Sequence, residues 1–194
     1  MINDKYFKVN DRVFSYFHHP YNSTRENERI IEVPLGEFFI NNFGYDITEV
    51  GAVMGYYGFN CKEVIDSHDT LPGVIKANAV HDIDYSNKNI LSISTIEHFK
   101  LDEYNNTSNN DSILFLEKVI SSAKNFFISW PLGYNLLLDN YTKNSNKIPF
   151  FIMKRISQNN QWQKEETNNF SYLYNSPFPY ANAICCVTSL KSLL

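Results

Sequence analysis

The stretch Ile47-Thr48-Glu49-Val50-Gly51-Ala52-Val53-Met54-Gly55 constrains this chain more than any other. A short apolar run of strand length passes straight into a glycine turn, with an acid, Glu49, at the strand's end. Further on, Val64-Ile65-Asp66 repeats the pattern of a short strand that ends in an acid. This is the layout of the first half of a nucleotide-binding α/β unit, in which the second acid takes ribose hydroxyls. Ile90-Leu91-Ser92-Ile93-Ser94-Thr95-Ile96-Glu97-His98 adds an apolar strand with polar groups at its C-terminal tip. Open α/β sheets bind ligands at that edge.

Bulk properties narrow the class. A chain of 194 residues fits a single domain, 1–194, with a small N-terminal cap over about 1–24. At 43% hydrophobic and 15% aromatic it can bury a core. The net charge of −4 lacks the basic footprint of a phosphate-backbone partner, so no nucleic acid is expected. No apolar run approaches the roughly 18 residues of a membrane span. Met1-Ile2-Asn3-Asp4-Lys5 lacks the basic-then-apolar pattern of a signal peptide. Cys61 and the adjacent pair Cys185-Cys186 form no disulfide framework and read as reduced thiols, which places the chain in the cytoplasm.

Hydrophobic periodicity orders the elements. The aromatic segment 1–22 suggests a cap with one hairpin. Ser23 or Thr24 can N-cap a helix over about 25–43, which Pro34 should kink or split. Strands are expected near 46–50, 62–66, 74–77 and 89–95, the last apolar on both faces as in a parallel strand covered by helices. Leu101 to Asn110 reads as a polar loop, and 111–123 as a helix capped by Asp111 or Ser112. A strand over 125–130 and a short helix over 134–141 follow. Two late strands, 148–156 and 183–190, are separated by a long loop at 157–180 without a convincing helix. They are expected to pair antiparallel. Strands alternating with helices and then a helix-free closing pair depart from an ordinary doubly wound fold.

Four segments carry a family resemblance. Glu49-Val50-Gly51 with Gly55 resembles an acid-x-Gly-x-Gly-x-Gly cofactor loop, Ser92-Ile93-Ser94-Thr95-Ile96-Glu97-His98 a post-strand segment ending in Glu-His, and Trp130-Pro131-Leu132-Gly133 a Pro-x-Gly strand exit. Tyr21-Asn22 through Asn27-Glu28-Arg29 to Glu32-Val33-Pro34-Leu35 resembles a helix preceding the first strand. Together these resemble class I S-adenosylmethionine-dependent methyltransferases, and more narrowly the small methyltransferases found with bacterial surface-polysaccharide biosynthesis. The resemblance covers most of the chain, and the Ile-Ser-Thr-Ile-Glu-His segment is its most specific part. It implies an α/β fold with a Rossmann-like methyltransferase sheet, mostly parallel with an antiparallel C-terminal hairpin strand and helices on both faces. It further implies S-adenosyl-L-methionine as cofactor and O-methylation of a sugar-derived or other small acceptor. The alternative is a degenerate methyltransferase-like domain that binds a ligand or partner without turnover. An oligomer is compatible with either.

The middle glycine position of the loop is Val53, and a β-branched residue disfavours positive φ there. Either the loop follows another path, with Gly55 or Gly58 approaching the cofactor, or cofactor binding is weakened or lost. The resemblance assigns Asp66 to the ribose hydroxyls, with Gly51, Gly55, Ser94 and Thr95 around the cofactor. It assigns Asn78, or Asp82 beside it, to the adenine amine. Glu49 would hold the loop or the cofactor's amino end, or else cap nearby amides. Arg29 would pair with the methionine carboxylate, or else with Glu26 or Glu32. His98 is the candidate base for an acceptor hydroxyl, or else a packed helix-start histidine. Glu97 is the second catalytic candidate, a polar contact to cofactor or substrate. His18-His19 beside Tyr21 suggest a wall of the acceptor pocket. His68, Asp69, His81 and Asp82 match no metal-ligand spacing, and no metal is expected.

Overall fold

The computed structural model describes residues 5–99 and 110–194, so the loop expected from Leu101 lies almost entirely outside the described residues. In chain order the elements are β1 (Tyr6–Val9), β2 (Arg12–Ser15), α1 (Arg29–Phe43), β3 (Thr48–Val50), β4 (Glu63–Ile65), β5 (Asn89–Ile93), α2 (Asp111–Ser122), β6 (Asn125–Pro131), α3 (Leu136–Asn144), β7 (Phe150–Arg155), β8 (Trp162–Lys164) and β9 (Ala183–Thr188).

Seven strands form one mixed sheet in the order β4-β3-β5-β6-β9-β7-β8. Strands β4, β3, β5 and β6 run parallel. Strand β9 inserts antiparallel between β6 and β7, with Ile128 opposite Val187 and Phe151 opposite Cys186. After β3 the chain steps to β4 on one side and then returns to β5 on the other. That reversal opens a crevice beyond the C-terminal ends of β3 and β5.

Alternation along the strands separates two apolar layers. Leu91, Ile93 and Phe127 pack with Ile31, Leu35 and Phe39 of α1. Ile90, Ile128 and Trp130 face the other way, against Phe115, Leu116 and Val119 of α2 and Leu138 of α3. Both faces of the sheet are therefore covered by helices, as the doubly apolar strand 89–95 requires.

Several local expectations are corrected. Helix α1 begins at Arg29, not at a Ser23 or Thr24 cap. A tight turn over Tyr21–Ser23, with positive φ at Asn22 and Ser23, precedes it. Thr24 Oγ1 donates to the Tyr21 carbonyl (2.7 Å), and Asn27 Oδ1 accepts the Arg29 amide (3.1 Å). Pro34 does not split α1, which runs unbroken to Phe43. Proline has no N–H for the carbonyl four residues back. The Ile30 carbonyl instead accepts the Phe17 amide at 3.0 Å. The strand expected at 74–77 reduces to one parallel bridge, Ile65 to Ile75, because the Gly73 turn at φ +86° directly precedes it. Helix α2 takes Asn110 as its N-cap residue without a side-chain bond. Ser112 Oγ turns back to donate to the Ile96 carbonyl (2.7 Å). The segment 157–180 contains strand β8, which pairs antiparallel with β7.

The N-terminal hairpin covers the edge strand β8, a common protection for an open edge. Phe7 and Val9 share an apolar cluster with Trp162. The Trp162 amide donates to Tyr16 Oη (2.8 Å), and Lys164 Nζ to Asn10 Oδ1 (2.6 Å). Strands β1 and β2 thus sit at the opposite sheet edge from β4.

Candidate functional site

The crevice at the ends of β3, β4 and β5 holds a cavity of about 390 Å³. That lies within the roughly 300–1,000 Å³ typical of small-molecule sites. Its walls include Gly51 and Val53 after β3, Asp66 and Asp69 after β4, Asn78, then Ser94, Thr95 and His98 after β5, and Asp111 at the start of α2.

At the cavity floor Gly51 lets the Thr95 side chain pack directly against the loop after β3. Its φ of +86° is a glycine conformation, and a Cβ there would stand 1.9 Å from Thr95 Oγ1. Thr95 is fixed by its own hydroxyl bond to the Ile93 carbonyl (3.0 Å). Ser94, between them, adopts φ +36°, a sparsely populated conformation of the kind concentrated at functional sites.

Glu49 stays below this floor. Its Oε1 accepts the amides of Val53 (3.0 Å) and Met54 (2.7 Å), which is the capping role. Burial pushes its carboxyl up to about 7, with the two amides and Arg29 opposing. Val53 takes right-handed φ/ψ of −111° and −53°, so its branched side chain meets no left-handed strain. The loop tightens directly after Gly51, whose carbonyl accepts the Val53 amide at 3.0 Å. It winds into a single 3-10 turn, Met54–Tyr57, and Gly58 rather than Val53 or Gly55 adopts positive φ. Neither Gly55 nor Gly58 lines the cavity.

Asp66 lines the cavity and also ties two loops together. Its Oδ2 accepts the Ala52 amide (3.2 Å), and its Oδ1 accepts those of His68 (2.8 Å) and Asp69 (2.9 Å). An ionised carboxylate offers about four acceptor positions. Three are used by amides, and one remains on Oδ2. Asn78 also lines the cavity, but its Oδ1 accepts the Val80 (2.9 Å) and His81 (3.3 Å) amides. Asp82 instead caps the Asn78 amide (2.8 Å) and lies outside the cavity wall. Asp69 accepts the Tyr56 hydroxyl (2.9 Å), and the Tyr56 ring stacks on Tyr21.

Behind the Ser94 end lies a buried cluster of acids around one arginine. Arg29 pairs with Glu32, the alternative read for it, and does not reach the cavity wall. Burial opposes the Arg29 charge, but Glu32 and Glu28 outweigh it and hold its pKa above the ordinary value. Glu32 is wholly buried and accepts the Ser94 (2.8 Å) and Ser129 (2.7 Å) hydroxyls on Oε1. Glu28 is raised by burial and by Glu32, and its Oε2 accepts the Ala181 amide (3.3 Å). Glu97 is 1% exposed and raised well above the carboxylate range, first by burial and then by Glu32 and Glu28.

His98 links this cluster to the cavity. It lines the cavity wall, and its Nε2 stands 3.6 Å from Glu97 Oε1. The Tyr134 ring meets the imidazole edge-on at 4.9 Å, and Tyr174 meets Tyr134 at 5.0 Å. Gly133 brings these tyrosines together, since a Cβ there would lie 2.5 Å from the Tyr172 carbonyl oxygen. His19 packs with Phe17 and Tyr57, and neither His18 nor His19 lines the cavity. Among the described residues no group of His, Cys, Asp and Glu is placed to hold a metal ion.

Of the residues expected at the site, Gly51, Asp66, Asn78, Ser94, Thr95 and His98 meet at one cavity, whereas Glu49, Gly55, Arg29 and Glu97 do not line it. Sequence reasoning missed Asp111, Ser129, Tyr134 and Tyr174, and gave Glu32 no central role. A signal existed for Glu32, the lone acid within Ile30-Ile31-Glu32-Val33-Pro34-Leu35. Tyr134 and Tyr174 are 40 positions apart and carried none. Comparison with protein-family models, with curated proteins and with solved structures finds no match to this chain.

Proposed function

We propose that this chain is an S-adenosylmethionine-dependent methyltransferase acting on a hydroxyl of a sugar-derived or other small acceptor. One observation carries the reading. The cavity lies between Gly51 and Asp66 at the reversal point of a sheet whose strand β9 runs antiparallel between β6 and β7. A mostly parallel sheet with an antiparallel C-terminal strand is among the features the sequence resemblance implies, and so supports the reading. The cavity's charge agrees. Asp66, Asp69 and Asp111 line it, and no Lys or Arg does so among the described residues. Such a wall suits hydroxyls and a cation, and disfavours the pyrophosphate of a dinucleotide.

The residues present fit the cofactor. The absent Cβ at Gly51 lets Thr95 pack against the loop at the floor, and the remaining acceptor position of Asp66 suits a ribose hydroxyl. When bound, S-adenosylmethionine supplies an electrophilic methyl carbon whose former bonding electrons stay on sulfur. His98, on the cavity wall, receives the proton that an acceptor hydroxyl gives up. Thr95 and Ser94 fix the wall's position, and positioning alone contributes strongly to such a displacement.

A second reading is a domain of this kind that binds a ligand or partner without turnover. It is favoured by the short 3-10 turn after Gly51, which supplies no long helix dipole to the cofactor. Calorimetric titration of S-adenosylhomocysteine tests both. Micromolar binding, lost in Asp66→Ala, supports the cofactor site. Transfer of labelled methyl to hydroxylated acceptors then separates enzyme from binding domain. No binding at millimolar ligand refutes the cofactor reading.

A further inference from the structure

We infer that Glu97 and His98 are a coupled proton-holding pair, in which Glu97 is the positioning residue and His98 the group that meets the acceptor. His98 is on the cavity wall, whereas Glu97 is not. Glu97 therefore acts only through the imidazole. Its Oε1 faces His98 Nε2 at 3.6 Å. Its Oε2 is buried without a hydrogen-bond partner among the described residues. A buried carboxyl oxygen left unsatisfied is costly, and such cost persists where it serves a site.

The backbone fixes both side chains. The His98 amide donates to the Thr95 carbonyl (3.1 Å), and Asn135 Nδ2 donates to the Glu97 carbonyl (3.1 Å). Tyr134 holds the imidazole from the side.

The groups around the pair set where its proton rests. From α1 and the residue before it come Arg29, Glu28 and Glu32, and from the 171–176 segment comes Tyr174, whose own pKa burial, Glu28 and Glu97 push up to about 12. On the cavity side Asp111 shares the wall with His98. Burial, then Glu32 and Glu28, raise the Glu97 carboxyl well above its ordinary range, with Arg29 opposing. When an acceptor hydroxyl gives its proton to His98, the new imidazolium draws the Glu97 carboxyl toward its ionised form, and the extra proton then returns to solvent from the imidazole, whose side chain is 30% exposed at the cavity wall. While the imidazolium lasts, the Glu97 carboxyl beside it offsets its charge. The coupling rests on the facing side chains and the buried Glu97 carboxyl; only its use in methyl transfer rests on the proposed function.

The test is an NMR titration of the free protein with carbon-labelled His imidazoles and Glu carboxyls, assigned with His98→Asn and Glu97→Gln. In the unmodified chain both resonances should show the same two inflections. In Glu97→Gln the His98 midpoint should fall by about one unit or more, because the imidazolium loses its counter-charge. One independent inflection in each resonance, or an unmoved His98 midpoint in the folded variant, overturns the pair. Should Glu97→Gln not fold, the unmodified chain alone decides. Failure of S-adenosylhomocysteine to bind would leave this result untouched, so the two claims fail separately.

Discussion

Glu49 is a carboxyl with 1% exposure that holds two amides of the loop beneath the cavity. Its pKa rises from 4.5 to about 7 on folding. The folded chain therefore binds a proton the unfolded chain has lost between these values. The stability this group contributes is fully present below about 4.5 and is lost as pH rises through about 7. At 1.36 kcal/mol per unit, the loss is roughly 3 kcal/mol. A glutamine side chain at this position, by contrast, would retain a carbonyl for the amides and could not ionise. Urea unfolding at stepped pH should show Glu49→Gln losing that slope relative to the unmodified chain. Equal slopes in the two proteins would contradict this account of the loop. Asp139, raised to about 6 by burial against the Trp130 and Gly133 donors, titrates in both proteins and cancels in the difference.

At the scale of elements, Pro34 shows how a breaker becomes a tether. An interior proline ordinarily costs a helix about 3 kcal/mol. Here the freed Ile30 carbonyl anchors Phe17, at the start of the segment that carries His19 and Tyr21 to the Tyr57 cluster. In Pro34→Ala a new amide competes for that carbonyl. The gain should fall well short of about 3 kcal/mol, and hydrogen exchange at the Phe17 amide should quicken. Unchanged Phe17 protection would refute the tether. The sequence pattern located α1, α2 and β5 because each carries a long apolar period. It missed β8, where Trp162-Gln163-Lys164 is too short to display alternation and is held by β7 and the hairpin. It overextended 74–77 because apolar residues there bridge once and turn away.

The molecule as a whole is an α/β sheet with helices on both faces, and among the described residues no helix is long and apolar enough to cross a membrane. Apart from β8 and the single bridge at Ile75, the order of elements was legible, including the helix-free closing pair that becomes β7 and β9. The cavity was legible through Gly51, Asp66 and His98, which lie at strand ends where local pattern and topology agree. The buried acids were not, because Glu28, Glu32 and Glu97 meet only after α1 packs across β5 and β6. The central claim is that this cavity holds the nucleoside of S-adenosylmethionine beside His98. The most direct measurement is a crystal structure of the chain with S-adenosylhomocysteine. The account predicts the nucleoside between Gly51 and Asp66, a ribose hydroxyl on Asp66, and the sulfur turned toward His98. Ligand bound elsewhere, or a cavity left empty at saturating ligand, would contradict it.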